Sequence, residues 1–256
     1  MDYNFHSHTV LCSHASGTER EYIEAAISVG IKEWGFSDHI PFIFPNGVEY
    51  YYRVPVAEVE NYFNTIKELK EEYKDKINIH IGFETEYYEK YFDQMVENAR
   101  TWGAEYLILG QHSVGNEPID SFWCTQETTD VDYLKQYVSR VVAGIESGVI
   151  TYVAHPDIFN FIGEDAVYEE EMIKIIKAAE THNVPLEINF LGIRDNRNYP
   201  TDKFWRLAKG YDISVVFGLD AHDVRGACDT ASLEKALEIC RKYNLNVLKT
   251  PKLIRL

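Results

Sequence analysis

The 256-residue chain carries 25 basic and 41 acidic side chains, which gives a formal net charge of -16 at pH 7. A surface this acidic repels phosphate backbones and argues against nucleic acid as a partner. It does not exclude a small anionic substrate, because bound divalent cations can reverse the potential locally. Hydrophobic residues make up 45% of the chain, enough for a sizeable core, and no stretch approaches the length of a membrane span.

The cysteines and the N-terminus predict a cytoplasmic protein with no membrane partner. Four cysteines, Cys12, Cys124, Cys228 and Cys240, are scattered and form no Cys-x-x-Cys pair, as expected of free thiols in a reducing compartment. The chain starts directly with a predicted strand and shows no cationic and then apolar signal segment. The oligomeric state stays open.

Helical and extended patterns alternate along the chain. The capping-box pattern Thr18-Glu19-Arg20-Glu21 predicts a helix that ends near Gly30. Apolar residues at spacings of three and four predict further helices over 56–73, 88–101, 130–147, 168–182, 201–209 and 231–243. Short β-rich runs predict strands over 2–6, 33–37, 77–83, 106–110, 150–154, 185–190 and 213–219. Several strands are apolar on both faces, as parallel strands covered by helices are, so we expect a single α/β domain over 1–256 with seven βα units arranged like a barrel.

Side chains that can bind a metal follow almost every predicted strand. They are His6, His8, His14, His39, Glu84, His112, His155, Asp220 and His222, and they include seven of the nine histidines. In a parallel βα barrel the carboxyl ends of the strands meet on one face, so these side chains should converge. Imidazole and carboxylate suit zinc, manganese or iron. Nine ligands exceed the needs of one ion and predict a cluster of two or three, which can generate a hydroxide nucleophile and hold phosphoryl oxygens.

Three arginines are candidate phosphate ligands. Arg194 and Arg197 follow the sixth predicted strand, on the face where the metal ligands gather, and Arg53 lies in the aromatic loop 40–55. Guanidinium binds phosphate oxygens through paired hydrogen bonds, whereas the alternative is a weak salt bridge on a loop. The aromatic residues of the loop either cover a planar substrate group or pack against one another.

The ligand pattern resembles the polymerase and histidinol phosphatase (PHP) superfamily. The matching residues are His6-Ser7-His8, His14, His39, Glu84, His112, His155 and Asp220-Ala221-His222. The stretches Gly35-Phe36-Ser37-Asp38-His39, Gly110-Gln111-His112, Leu186-Glu187-Ile188-Asn189 and Gly192-Ile193-Arg194-Asp195 resemble its histidinol-phosphate phosphatase branch. The resemblance implies a distorted (β/α)7 barrel with three divalent ions, for which zinc is the leading candidate and manganese or iron are alternatives.

The resemblance also implies which of these ligands bind each metal. The first metal takes His6, His8, Glu84 and Asp220, the second Glu84, His112 and His155, and the third His14, His39 and His222. The implied reaction is hydrolysis of L-histidinol phosphate to L-histidinol and phosphate, a step of histidine biosynthesis. From their positions alone, Arg197 would hold the phosphoryl group, and Asp220 or His222 would pass a proton to the leaving alkoxide. Acids in and near the long loops, including Glu49, Asp120 and Glu117 in the loop 113–128, would meet the substrate ammonium.

Two alternatives stay open at this point. The chain could be a phosphoesterase of the same superfamily that acts on another small phosphate or a nucleotide. It could also be a barrel that metals brace without any catalysis. If removal of the metal abolishes hydrolysis but leaves the fold intact, the chain is a metal-dependent phosphatase and not a barrel that metals only brace.

Overall fold

The computed structural model describes residues 1–116 and 120–256 and contains a curled sheet of eight parallel strands. In their order across the sheet they are β1 Tyr3–Asn4, β2 Glu33–His39, β3 Asn78–Thr85, β4 Tyr106–Leu109, β5 Ile150–Val153, β6 Leu186–Asn189, β7 Ser214–Gly218 and β8 Asn246–Val247. The helices are α1 Glu19–Ser28, α2 Val59–Glu72, α3 Phe92–Trp102, α4 Val131–Glu146, α5 Asp165–His182, α6 Phe190–Arg194, α7 Asp202–Ala208, α8 Val224–Ala227 and α9 Ala231–Tyr243. The predicted barrel-like α/β fold is confirmed.

All seven predicted strands and all seven predicted helices are present, with ends shifted by a few residues. Strand β8 and the short helices α6 and α8 were not predicted, because two to five residues are too few to show a period. Both short helices follow strand ends and are capped by side chains. Asn189 Oδ1 accepts the N–H of Gly192, and Asp223 Oδ1 accepts the N–H of Gly226.

The two edges of the curled sheet meet near the carboxyl ends of the strands. There Ser7 bridges to Ala221, and the N–H of Leu219 donates to the side chain of Asn4 at 2.8 Å instead of to a backbone carbonyl. Farther toward the amino ends, β8 pairs with β7 in place of β1. This change of partner explains why the barrel is distorted.

Apolar side chains fill the interior of the curled sheet beneath the polar strand ends. They are Tyr3, Phe5, Tyr106, Ile108, Tyr152, Ala154 and Val216. The alternate residues Leu107 and Leu109 pack outward into the larger core between sheet and helices. Gly35 and Gly82 leave room for the ring of Tyr106, because a Cβ at Gly35 would lie 2.2 Å from its hydroxyl oxygen. The site therefore rests on a filled interior and not on a pore.

Two loops with short hairpins rise at the carboxyl end of the sheet. In one, Ile43–Phe44 pairs with Val48–Glu49, and in the other, Ser113–Asn116 pairs with Asp120–Trp123. Single 3₁₀ turns occur at Val10–Cys12, Pro45–Gly47 and Val56–Glu58. The two loops meet where the rings of Tyr52 and Trp123 lie 5.2 Å apart. Within residues 1–116 and 120–256, no helix has the length and apolar character that crossing a bilayer requires.

Candidate metal centre and active site

The structure brings all nine predicted ligands together at the carboxyl end of the sheet. Glu84 is central: its carboxylate oxygens lie 3.0 to 3.6 Å from ring nitrogens of His6, His8, His39, His112 and His155. Asp220 Oδ1 lies 3.2 to 3.4 Å from ring nitrogens of His6, His8 and His222. His14 Nε2 lies 3.0 Å from His222 Nε2 and completes the cluster.

The donor atoms fall into groups in which every atom lies within 4.8 Å of the others, close enough to share an ion. The groups are His6-His8-Glu84, His6-His155-Asp220, His39-Glu84-His112, His14-His39-His222 and His8-Cys12-His222. The fourth group matches the third metal that the resemblance implies, whereas the third group joins His39, rather than His155, to Glu84 and His112. Cys12 stands near the ligands, but its thiol is fully buried, and burial raises its pKa.

Unpartnered buried atoms at the centre show that these residues fit divalent cations. His6 Nε2, His39 Nδ1, Glu84 Oε2, His155 Nδ1 and Asp220 Oδ1 are buried and have no hydrogen-bond partner within the described part of the chain. Buried polar atoms without partners are costly. Cations bound between the imidazoles and carboxylates would satisfy them, and the mixed nitrogen and oxygen donors suit zinc, manganese or iron.

Three buried carboxylates orient ligand imidazoles from behind. Each carboxylate oxygen faces a histidine Nδ1: Glu187 with His6 at 2.9 Å, Asp38 with His8 at 3.4 Å and Glu86 with His112 at 3.0 Å. This contact directs Nε2 toward the cluster and increases its basicity as a ligand.

From the sequence, Asp38 and Glu187 stand out only as flanking residues of the family motifs, and Glu86 is not among the predicted site residues. A usable signal existed for Glu86, because it follows Glu84 by two residues on an extended chain and so projects to the same side. For Glu187 the signal was an acid inside the apolar run of a buried strand.

Two ligands have backbone conformations that side chains rarely adopt. His155 has φ of 29° and Asp220 has φ of 45°, both in the positive range. Such conformations cost energy and persist only where surrounding contacts impose them, typically at functional sites. One imposing contact is visible at His155, whose N–H donates to Glu187 Oε2 at 3.0 Å.

The electrostatics make the cluster attractive to positive charge. Burial opposes ionisation of Glu84, but the adjacent imidazoles of His112 and His6 hold its pKa well below the ordinary value. Burial likewise opposes protonation of His6, yet Asp220 and Glu187 raise its pKa well above the ordinary value. In contrast, burial and the neighbouring His222 lower the pKa of His14 to about 4. Burial also raises the pKa of Asp220, but His6 and His222 hold it well below the ordinary value. The carboxylates of Glu84 and Asp220 therefore stay ionised at neutral pH and can bind cations.

A cavity of about 610 Å³ opens above this cluster. Eight of the nine predicted ligands form its floor, His6 being covered, while Tyr51, Tyr52 and Trp123 contribute an aromatic side. Arg194, Arg197 and Tyr199 also line the cavity. The site thus combines a metal-binding floor, cationic groups and flat apolar surfaces.

The predicted substrate ligands have different surroundings. Arg197 is half-exposed in the cavity, and its Nη2 lies 3.4 Å from Asp195. Arg194 also lines the cavity, but its guanidinium is mostly buried and bonds to Asp229 at 3.0 Å. Glu117 lies outside the described residues.

Arg53 is not where a phosphate ligand was expected. Its side chain is fully buried and does not appear among the described residues that line the cavity. Its Nη2 lies 2.8 Å from Glu86 Oε2, and Glu86 in turn faces His112. The chain folds back after the hairpin and buries this guanidinium against Glu86, on which it packs instead of lining the described part of the cavity.

The sequence model of the PHP domain family matches residues 4–190. The chain therefore belongs to the PHP domain family.

Several similar proteins are histidinol-phosphatases by name. A probable histidinol-phosphatase of Deinococcus radiodurans is 27% identical over 85% of this chain and 85% of the relative. A histidinol-phosphatase of Lactococcus lactis is 26% identical over 98% of this chain and 93% of the relative. A solved structure of histidinol phosphate phosphatase from Lactococcus lactis, complexed with zinc, L-histidinol and phosphate, is similar in fold. The superposition has a TM-score of 0.75 and 20% sequence identity, and it covers 99% of this chain and 98% of the Lactococcus chain. The last similarity establishes the distorted PHP barrel as the fold of this chain.

Proposed function

We propose that this chain is a metal-dependent phosphomonoesterase that hydrolyses L-histidinol phosphate to L-histidinol and phosphate. The observation that carries the proposal is the convergence of the histidines on Glu84 and Asp220 beneath a cavity with arginine and aromatic walls. The histidinol-phosphatase relatives support the choice of substrate.

The donor set supports three divalent ions, with zinc as the leading candidate and manganese or iron as alternatives. When bound, such ions make water a nucleophile near neutral pH and neutralise charge on phosphoryl oxygens. Residues behind the cluster keep the ligands in position: Glu187, Asp38 and Glu86 fix the ring orientations of His6, His8 and His112. The site is therefore preorganised by the protein.

Other residues act on the substrate itself. Arg197 reaches the cavity and is placed to hold phosphoryl oxygens. His222 Nδ1 lies 3.3 Å from Asp220 Oδ1, so this pair is suited to deliver a proton to the leaving alkoxide. The rings of Tyr52 and Trp123 offer surfaces on which an imidazole can stack. The cytoplasmic location and the absence of a nucleic-acid partner remain part of the proposal and rest on the charge and the cysteines.

A substrate panel tests the proposal. We expect kcat/KM for L-histidinol phosphate to exceed that for p-nitrophenyl phosphate, nucleotides and sugar phosphates by about tenfold or more, since binding of the imidazole and ammonium groups positions the phosphate. Equal or higher kcat/KM on a nucleotide or sugar phosphate would assign the chain to another substrate.

Chelation tests the role of the metals. Removal of metal should abolish hydrolysis while the circular dichroism of the barrel is retained, and readdition of zinc or manganese should restore the rate. Unfolding on chelation, with no hydrolysis before it, would instead indicate metals that only brace the fold.

A further inference from the structure

Tyr199 lies in the cavity wall beside the metal ligands, on the loop between α6 and α7. Its side chain is buried, and its ring centroid is 5.7 Å from that of His155. Nη1 of Arg197 donates to the Tyr199 hydroxyl at 3.2 Å. The phenol and the guanidinium therefore form one polar unit at the edge of the metal centre.

The hydrogen-bonding capacity of the Tyr199 hydroxyl is only half used. A phenol oxygen accepts and its proton donates, and here the acceptor side is used by Arg197. Among the hydrogen bonds of residues 1–116 and 120–256, the hydroxyl proton donates to no protein acceptor. A tyrosine hydroxyl ordinarily ionises only at about pH 10, so it is a donor at neutral pH. A donor without a protein acceptor in the wall of this cavity suits an anionic acceptor bound there.

The loop that carries this unit is fixed by contacts to two neighbouring segments. They are Arg197 N–H to Gly192 O at 2.9 Å, Asn198 Nδ2 to Ile158 O at 2.8 Å and Thr201 N–H to Asp157 Oδ2 at 2.6 Å. Gly192 permits the close approach, because a Cβ there would lie 2.1 Å from the carbonyl oxygen of Tyr199. The hydroxyl is thus held in place before the substrate arrives, as effective transition-state stabilisation requires.

We propose that Tyr199 is a catalytic residue whose hydroxyl donates a hydrogen bond to a phosphoryl oxygen of the substrate, next to the guanidinium of Arg197. The inference rests on the proposed phosphomonoesterase function and adds a substrate contact to it. Donation from Arg197 polarises the hydroxyl and makes it a stronger donor. The hydrogen bond gains strength as charge shifts on the phosphoryl group in the transition state.

Substitution Tyr199→Phe removes the hydroxyl and keeps the ring against His155 and Gly192. In the metal-loaded enzyme we expect kcat/KM for L-histidinol phosphate to fall by about tenfold to a hundredfold, the usual range for a hydrogen bond to a charged group. The inhibition constant of inorganic phosphate should rise, while metal content stays at the wild-type level. The matched control is Tyr137→Phe, which removes a buried hydroxyl that donates to Pro156 O at 2.8 Å and should change both constants by less than about threefold.

A double variant distinguishes direct contact between Tyr199 and the substrate from a role in which Tyr199 only positions Arg197. If Tyr199 only holds Arg197, then Tyr199→Phe has no further effect in an Arg197→Ala background. A further loss of at least about fivefold in kcat/KM and in phosphate affinity supports direct contact, and no further loss overturns it.

The outcomes also separate this inference from the proposed function. A wild type that prefers another phosphate ester refutes the substrate, yet inorganic phosphate still reports on Tyr199. A wild type that prefers L-histidinol phosphate, with an unchanged Tyr199→Phe variant, refutes only the role of Tyr199.

Discussion

The buried ion pair of Arg53 and Glu86 leads to a quantitative prediction. Both side chains are fully buried, and Nη2 lies 2.8 Å from Oε2. Arg53→Met keeps most of the apolar stem but leaves the Glu86 carboxylate buried without its cation. Removal of one partner of a buried pair typically costs about 3–5 kcal/mol. Because Glu86 also faces His112 at 3.0 Å, we expect a value near the lower end, about 3 kcal/mol.

The same substitution should weaken metal binding. Glu86 orients His112, and loss of such a contact behind a metal ligand typically reduces affinity by about 10–100-fold. Urea unfolding measures the stability, elemental analysis measures the metal, and kcat/KM is measured at saturating metal. The double variant Arg53→Met/Glu86→Gln should recover part of the stability, since it removes both buried charges.

An exposed arginine provides the control for Arg53→Met. Arg20 pairs with Glu72 across the surface, where both side chains are about half exposed, so Arg20→Met should cost no more than about 1 kcal/mol. Wild-type stability and metal content in Arg53→Met, together with a loss of kcat/KM, would refute the structural role. That result would return Arg53 to the phosphate-binding role expected from the sequence.

Two further predictions concern carboxylates. Glu84→Gln should lower metal content more than His14→Gln does, because the Glu84 carboxylate faces five imidazoles whereas His14 lies at the edge of the cluster; equal metal content by elemental analysis would contradict this. Burial raises the pKa of Glu105, but His80 and Lys70 more than offset it and hold the pKa below the ordinary 4.5. The stabilisation that the ionised Glu105 provides is therefore present above pH 4.5 and is lost on acidification below that value. Urea unfolding should show that the free energy of unfolding falls less steeply with acidification in Glu105→Gln than in the wild type. An equally steep fall in both proteins would refute the stabilising role of Glu105.

The sequence by itself determined the fold class and the candidate metal ligands. Strands and helices with strong periods are local features, and the carboxyl ends of parallel strands must meet on one face. Ligands such as His6, Glu84 and Asp220 therefore converge whatever the details of packing, and the structure brings all nine together. His80, which is not among the predicted ligands, lies with its ring against Glu105 and outside the clusters.

Only the tertiary structure decided which polar groups stand behind the ligands and which face the cavity. Arg53 and Arg197 are both loop arginines in the sequence, yet one is buried on Glu86 and the other reaches the cavity beside Tyr199. The path of a long loop depends on contacts between residues far apart in the chain, such as that of Thr201 with Asp157, and local propensities do not encode them. The short elements β8 and α6 have the same origin, because two to five residues become regular only when neighbouring segments hold them.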